Sequence, residues 1–374
     1  MADYHRKVVF VTRECAQMPG VRVRGHGFAA ALRQAGIAAA VFSFADDLRA
    51  KHGRAERQLT AADCARLNAQ AFCRLVRRRP AAIVLQRLHY HVFGPWLAAQ
   101  CRGVPLIFDL DDWEAREGAL YNRYGIPQSG VVLGIRMVAA QSRACVAASR
   151  FLYSFLRNFQ KNTLYIPTAV DPALFKPAAQ VGHGGRPLVV SWIGTMHRPD
   201  NVENIKFLIA AFQDARQRQP SLRLEIRGDG LYGGSVREYV AGLGIPEISV
   251  LPWIAPAEMP AYLNSIDIGV MPLIQRSRFN RAKSPTRLFE YMALEKPVIA
   301  GACGEALSIL EHGRTGFLAR TRQQFSGLLC ELSAQPRLRE SVGRAARAAV
   351  CRRYALPQAA APLVETMRRL AQRQ

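Results

Sequence analysis

Short, unbroken apolar runs alternate along this chain with longer stretches of helical period. Residues 7–12 (KVVFVT), 37–44, 82–86 and 105–108 are nearly free of polar side chains on either face. A strand buried on both sides of a parallel sheet reads this way. Between these runs, 28–35 closes at Gly36, 59–78 ends in arginines, and 95–102 forms a further helix. Segment 139–159 is apolar with interspersed arginine and also reads as helix. The series then restarts with a strand at 188–193, a helix at 201–218 and a strand at 222–226. Strand, loop and helix repeated in this order predict an α/β chain with parallel sheets. The Pro- and Gly-rich run 176–187 is a linker by composition.

The loops after these strands carry the candidate chemistry. Gly20, Gly25 and Gly27 punctuate a loop before the helix at 28, in a spacing that is not the dinucleotide GxGxxG fingerprint. Arg22 and Arg24 on that loop are either anion contacts or solvated cations. His89 follows the strand 82–86. Asp109, Asp111 and Asp112 end the strand at 105–108, where open α/β sheets place their sites. Three readings of these carboxylates stand side by side: an acceptor-orienting or catalytic role, a Mg²⁺ or Mn²⁺ site, and a helix cap at Asp112. Arg227-Gly228-Asp229-Gly230 follows the strand at 222–226, and its glycines let backbone approach a nucleotide closely.

The densest pattern is KSPTRLFEYMA at 283–293, running on to KPVIA at 296–300. Ser284 is a suitable N-cap, Pro285 fits the first helical position, and 286–294 reads as a helix. Pro297 ends it, and 298–300 is a short buried strand. A helix start offers unpaired N–H groups and a positive dipole end to a phosphate, which makes Lys283, Ser284 and Thr286 candidates. Arg287 adds a fork of donors. Glu290, one turn on, is placed to accept hydrogen bonds from two sugar hydroxyls. The competing reading is a solvated surface pair.

Residues 283–318 resemble the donor-site signature of the retaining nucleotide-sugar glycosyltransferases of family 4, glycosyl transferases group 1. The resemblance extends more weakly over 146–177, where IPTAVDPALFKP stands for the family's crossover, and over 188–272. It implies a GT-B fold, with two Rossmann-like domains whose parallel sheets face a central cleft. The implied division is an acceptor-binding domain at 1–170, a linker at 171–187, a nucleotide-sugar domain at 188–345, and a helix at 346–374 crossing back to the first domain. Glu290 matches the family's ribose-binding Glu, while Ala282 stands where a second Glu usually holds the sugar ring. Asp111 stands near the family's usual His. Thr195 and Asp200 stand where an Arg and a Lys usually grip the diphosphate, so Arg198 or Arg287 is expected to compensate.

The resemblance further implies donor contacts from Gly194, Arg227, Trp253 and Ile254, and acceptor contacts from Gly20, Arg22, Arg24 and His89. Asp111 and Asp109, with Arg287 and Arg198, are the implied catalytic set. The expected donor is a UDP- or GDP-linked sugar, the acceptor a hydroxyl on a lipid-linked or phosphorylated molecule, with no metal and no cofactor.

Length and charge bound the rest. At 374 residues the chain is long for one core. Fifty-one Lys and Arg against 28 Asp and Glu leave +23, an excess that attracts polyanions, including an anionic membrane surface. No nucleic-acid-reading motif accompanies it, so specific nucleic-acid binding is not expected. No apolar run is long enough to span a bilayer, residues 1–7 lack the features of a signal peptide, and eight cysteines show no metal-ligand spacing. These features suit a cytoplasmic protein, with the inner membrane face as one location. Two other classes fit the same features: a nucleotide-sugar epimerase of the same fold, and a catalytically silent polyanion-binding protein.

Overall fold

A computed structural model describes residues 4–52, 56–113, 128–178 and 185–372. The chain divides into two compact units. The first comprises Met1–Ala169, Ala282–Ser284 and Leu356–Gln374; the second comprises Val170–Arg281 and Pro285–Ala355.

In the first unit, β1 (Val8–Thr12), α1 (Phe28–Gln34), β2 (Ala39–Ser43), α2 (Ala61–Arg78), β3 (Ala82–Gln86), α3 (Phe93–Arg102), β4 (Leu106–Leu110), α4 (Gln128–Gln141), β5 (Ala144–Ala147), α5 (Arg150–Arg157) and β6 (Thr163–Tyr165) follow in order. The six strands form one parallel sheet, β2-β1-β3-β4-β5-β6. Strands β1, β3, β4 and β5 are buried at every residue, which explains their unbroken apolar runs. Thr60 starts α2 with a capping box, its hydroxyl accepting from the Asp63 N–H while Asp63 returns the bond to the Thr60 N–H.

Two local expectations change. The glycine-punctuated segment before α1 is not a loop: Val21–Gly27 forms a π-helical stretch that runs directly into α1. The segment 139–159 is not one helix. It holds the end of α4, the buried strand β5 and then α5, whose start is capped by Ser149 accepting from the Leu152 N–H.

The second unit runs β7 (Leu188–Ile193), α6 (Pro199–Arg216), β8 (Leu222–Arg227), α7 (Gly233–Leu243), β9 (Ile248–Leu251), α8 (Met259–Ser265), β10 (Ile268–Met271), α9 (Arg278–Ala282), α10 (Thr286–Ala293), β11 (Val298–Gly301), α11 (Ala306–Ile309), β12 (Phe317–Ala319), α12 (Arg322–Ala334) and α13 (Pro336–Arg353). Its sheet order is β12-β11-β10-β7-β8-β9, again parallel throughout. In sequence order this is the 3-2-1-4-5-6 arrangement of doubly wound sheets, with its switch point between β7 and β10.

The division expected at 345/346 lies at 355/356. Helix α13 stays in the second unit, and only α14 (Leu356–Ala371) joins the first. There Ala360, Leu363 and Met367 pack in one cluster with Phe28 and Leu32 of α1.

Candidate active site

In doubly wound sheets a ligand lies beyond the carboxyl ends of the strands where their order reverses. For the second unit that point is the loop after β7 and the segment after β10. Gly194 N–H donates to the Arg227 carbonyl at 3.1 Å and Met196 N–H to the Asp229 carbonyl at 2.8 Å, stitching the β7 and β8 loops backbone to backbone. This closeness is what Gly228 and Gly230 permit. A Cβ on Gly228 would lie 1.9 Å from the Gly194 oxygen, and one on Gly230 would lie 2.5 Å from the Met196 carbonyl carbon. Both have φ of +154°, a region open to glycine. Their close approach is thus to the neighbouring loop.

Around this frame lie the predicted donor residues. Arg198, half-buried before α6, holds its guanidinium 4.6 Å from the Phe279 ring of α9, bridging the switch point. Arg227 stacks 4.1 Å over Tyr262 and donates to the Pro252 carbonyl at 3.3 Å, next to half-buried Trp253 and Ile254. Tyr262 in turn donates to Glu225 at 2.6 Å. Burial pushes the Tyr262 phenol up, with the Glu225 bond adding to it, so it remains a neutral donor.

On α10 the predicted pair is present and paired: Arg287 donates to Glu290, whose side chain is almost fully buried. A carboxylate keeps lone pairs after one such bond, and Arg287 keeps further donors. Ser284 does not cap this helix. Pro285 occupies the cap position, Thr286 opens the helix, and the buried Ser284 hydroxyl accepts the Thr168 N–H at 2.8 Å within the first unit. Lys283 is half-buried beside it, and Ala282 is packed in the first unit's core.

In the first unit the reversal lies between β1 and β3. Asp109, at the end of β4, is gripped by the fully buried Arg24: Nε lies 2.9 Å from Oδ2 and Nη2 2.5 Å from Oδ1, while Nη1 donates to the Ile166 carbonyl at 2.9 Å. Arg24 is therefore a structural cation and not an exposed anion contact. Asp111 accepts from Arg87 Nε at 2.5 Å and from Gln86 Nε2 at 3.0 Å. Burial raises the Asp109 carboxyl above the usual carboxylate range against the pull of Arg24. Burial pushes Asp111 the same way, but Arg87, then Arg24 and Gln86, outweigh it and hold the carboxyl below that range. Gly20 packs against this pair; a Cβ there would lie 2.8 Å from Arg87 Nη2. Arg22 is half-buried nearby in the chain. His89 is buried, and desolvation with Arg13 and His91 nearby lowers its pKa well below the ordinary value.

Residues beyond the sequence prediction complete a chain of ion pairs. Glu14 pairs with Arg13 and, at 3.5 Å, with Arg87; Glu56 pairs with Arg13 at 3.3 Å and Arg49 at 2.6 Å. Arg87 stands in the left-handed region at φ +62°, a conformation costly for a residue other than glycine unless its contacts hold it. Four arginines meet four carboxylates here, so the cluster carries no net charge. Asp112 accepts the Trp113 N–H at 2.9 Å; a helix following it would fall on 114–127, outside the described residues. Asp109 and Asp111 are thus engaged by guanidinium and amide groups, which is not the oxygen-only shell of a Mg²⁺ site.

Residues 187–335 match the family model for glycosyl transferases group 1. Over this segment the chain is similar to the group 1 glycosyltransferases. A Bacillus subtilis glycosyltransferase assigned to teichuronic acid biosynthesis is 48% identical over 50 residues, 13% of this chain and 12% of that protein's length. The crystal structure of Anabaena HepE with UDP and glucose aligns over 97% of this chain and 99% of its own, at 17% identity and a TM-score of 0.71. Sucrose-phosphate synthase of Thermosynechococcus elongatus aligns over 98% and 100%, at 15% identity and a TM-score of 0.73. These structures show the fold, GT-B with two Rossmann-like domains, and the matched segment contains both the β7/β10 switch point and the Arg287–Glu290 pair.

Proposed function

We propose that the protein is a retaining glycosyltransferase that moves a sugar from a UDP-sugar to an acceptor hydroxyl in the assembly of a bacterial cell-surface glycan. The buried Arg287–Glu290 pair on α10, inside the matched segment, carries the reading. Glu290 accepts the ribose hydroxyls, and Arg287 and Arg198 stabilise the charge that grows on the diphosphate as it leaves. Uracil is the preferred base because HepE was crystallised with UDP and glucose. Gly194, Thr286, Trp253 and Ile254 complete the donor contacts, with Lys283 beside the helix start.

In the transfer, the acceptor oxygen forms a bond to the anomeric carbon and the bond from that carbon to the β-phosphate oxygen breaks. The electron pair leaves with UDP, and the acceptor proton passes to the departing phosphate oxygen. Retention suits the first unit's carboxylates. A general base must be free to reach the acceptor proton, and Asp111 is held by Arg87 and Gln86 while Asp109 is locked in the Arg24 fork. Neither is a poised base or nucleophile, so Asp111 orients the acceptor. Because the surrounding ion pairs balance, we favour a neutral sugar hydroxyl there, with any phosphate or lipid of the acceptor lying elsewhere.

A thermal-shift comparison of UDP, GDP, ADP and dTDP tests the donor site. A ligand bound to the folded state alone at about a hundred times its Kd adds about 2.7 kcal/mol. UDP should raise the midpoint, and Glu290→Ala should abolish that rise. A shift by none of the four, or one unaffected by Glu290→Ala, would refute the assignment.

A further inference from the structure

Seven large hydrophobic residues are exposed among the described residues, and three of them gather on neighbouring helices of the first unit: Phe93 (64%) on α3, and Leu133 (54%) and Met137 (47%) on α4. Their grouping follows from two contacts. The Phe93 and Trp96 rings lie 5.7 Å apart, and Trp96 Nε1 donates to Gln141 Oε1 at 3.1 Å. Leu133, Met137 and Gln141 are spaced i, i+4, i+8, which puts them on one stripe of α4. The indole therefore joins the aromatic edge of α3 to the aliphatic stripe of α4. Inner residues of the same helices, Val131, Ile135, Ala98 and Ala99, already fill the core, so the outer stripe is surplus to folding.

Helices α3 and α4 carry Arg102 and Arg136 and contain no Asp or Glu. Arg136 is exposed between Leu133 and Met137, and Arg102 and Arg143 are exposed at the ends of α3 and α4. No helix among the described residues is long and apolar enough to cross a membrane.

We propose that the α3–α4 edge of the first unit is a docking surface for an anionic lipid bilayer. Phe93, Leu133 and Met137 enter the headgroup–acyl boundary, Trp96 lies at its polar margin, and the arginines meet lipid phosphates. Shallow insertion of apolar side chains supported by cations is how a surface-bound protein holds a membrane. An interface with another protein would ordinarily balance its charge on both sides; an anionic bilayer supplies apolar depth and negative charge together. Docking is independent of the donor reading, since it needs no nucleotide.

Flotation with phosphatidylcholine vesicles, with and without phosphatidylglycerol, measures it in the full chain. The wild type should float with the anionic vesicles only. Phe93→Ser with Met137→Ser should lower the partition coefficient about tenfold or more, and Arg136→Gln about fivefold in a salt-sensitive way. The double variant should keep the wild-type unfolding midpoint and UDP response, since both side chains are exposed; a wild type that floats without any UDP response would sink the donor assignment and leave docking intact. The proposal is overturned if the wild type stays unbound, or if the double variant floats as well as the wild type. It is equally overturned if light scattering shows a dimer that the double variant splits and no vesicle binding, because the face then belongs to a second copy.

Discussion

His91 lies fully buried just beyond β3, with its ring edge-on to Phe44 at 5.5 Å. Its Nε2 is 3.0 Å from the Gln86 carbonyl, which can only accept, so Nε2 carries a proton. Burial, then Arg13, depress its pKa to about 3, with Glu14 and the Gln86 bond opposing and Arg87 adding to the depression. An unfolded histidine titrates near about 6.5, so between these values the unfolded chain binds a proton that the folded chain refuses. Stability is complete above about pH 6.5 and falls as pH drops toward 3, by up to about 1.4 kcal/mol per pH unit for this group. His89 is depressed in the same direction and adds to the slope. Denaturant titrations from pH 7 to 4.5 should show a shallower decline for His91→Gln than for the wild type; equal slopes would show that His91 protonates without unfolding. At this scale the sequence was least legible. Arg24 reads as a basic loop residue, and its partner Asp109 is 85 positions away. Arg87 and Asp111 meet across 24 positions, through a strand pairing that no local pattern encodes. Glu290 and Arg287 were easier to place on one face, because helical spacing fixes their separation.

The elements were far more legible, for a physical reason. Parallel strands covered on both faces must be apolar throughout, so 82–86 and 188–193 stand out with their full lengths. The same feature misleads at 139–159, where alanine-rich strand and helix are equally apolar and Val146 is the lone β-branched residue of β5. The Val21–Gly27 stretch reads as a loop because glycine is a poor helix former; its π-helical turns bring Arg24 inward to Asp109. Glycine at the element scale also separates space from propensity. In Gly228 the backbone lies at φ +154° and an added Cβ would meet the Gly194 oxygen at 1.9 Å, whereas Gly327 in α12 has nothing within 4 Å. Gly228→Ala should therefore cost about 3 kcal/mol or more and spread the β7 and β8 loops. Gly327→Ala should add up to about 1 kcal/mol through helix propensity and a restricted unfolded chain. Urea midpoints of the two variants decide; a mild effect at Gly228 would mean the loops part easily.

Across the whole molecule, each unit has its own core, and the chain's last helix belongs to the unit that its first strand begins. Sequence composition pointed to two domains, but the tail's boundary was hidden because α13 and α14 are both rich in Ala and Arg. The second unit closes on itself at its end: Tyr354 stacks on Phe289 of α10 at 4.8 Å, and Val170 pairs with Ala355. Nothing of that core is lost if the chain is cut after Ala355. The first unit fares differently, because α14 supplies Ala359, Ala360, Leu363, Val364 and Met367 to the cluster around Phe28, Leu32 and Ile107. Withdrawing them removes on the order of 5 kcal/mol of apolar burial, comparable with the whole stability of an ordinary domain. Calorimetry of a chain ending at Ala355 should thus show one transition lowered or lost and a second one retained. The retained transition should still rise with UDP, because Arg287, Glu290, Arg198 and Arg227 all lie in the second unit. If both transitions fell together, the two units would be one cooperative body; if the surviving one ignored UDP while the intact chain responded, the donor site would need the first unit to form.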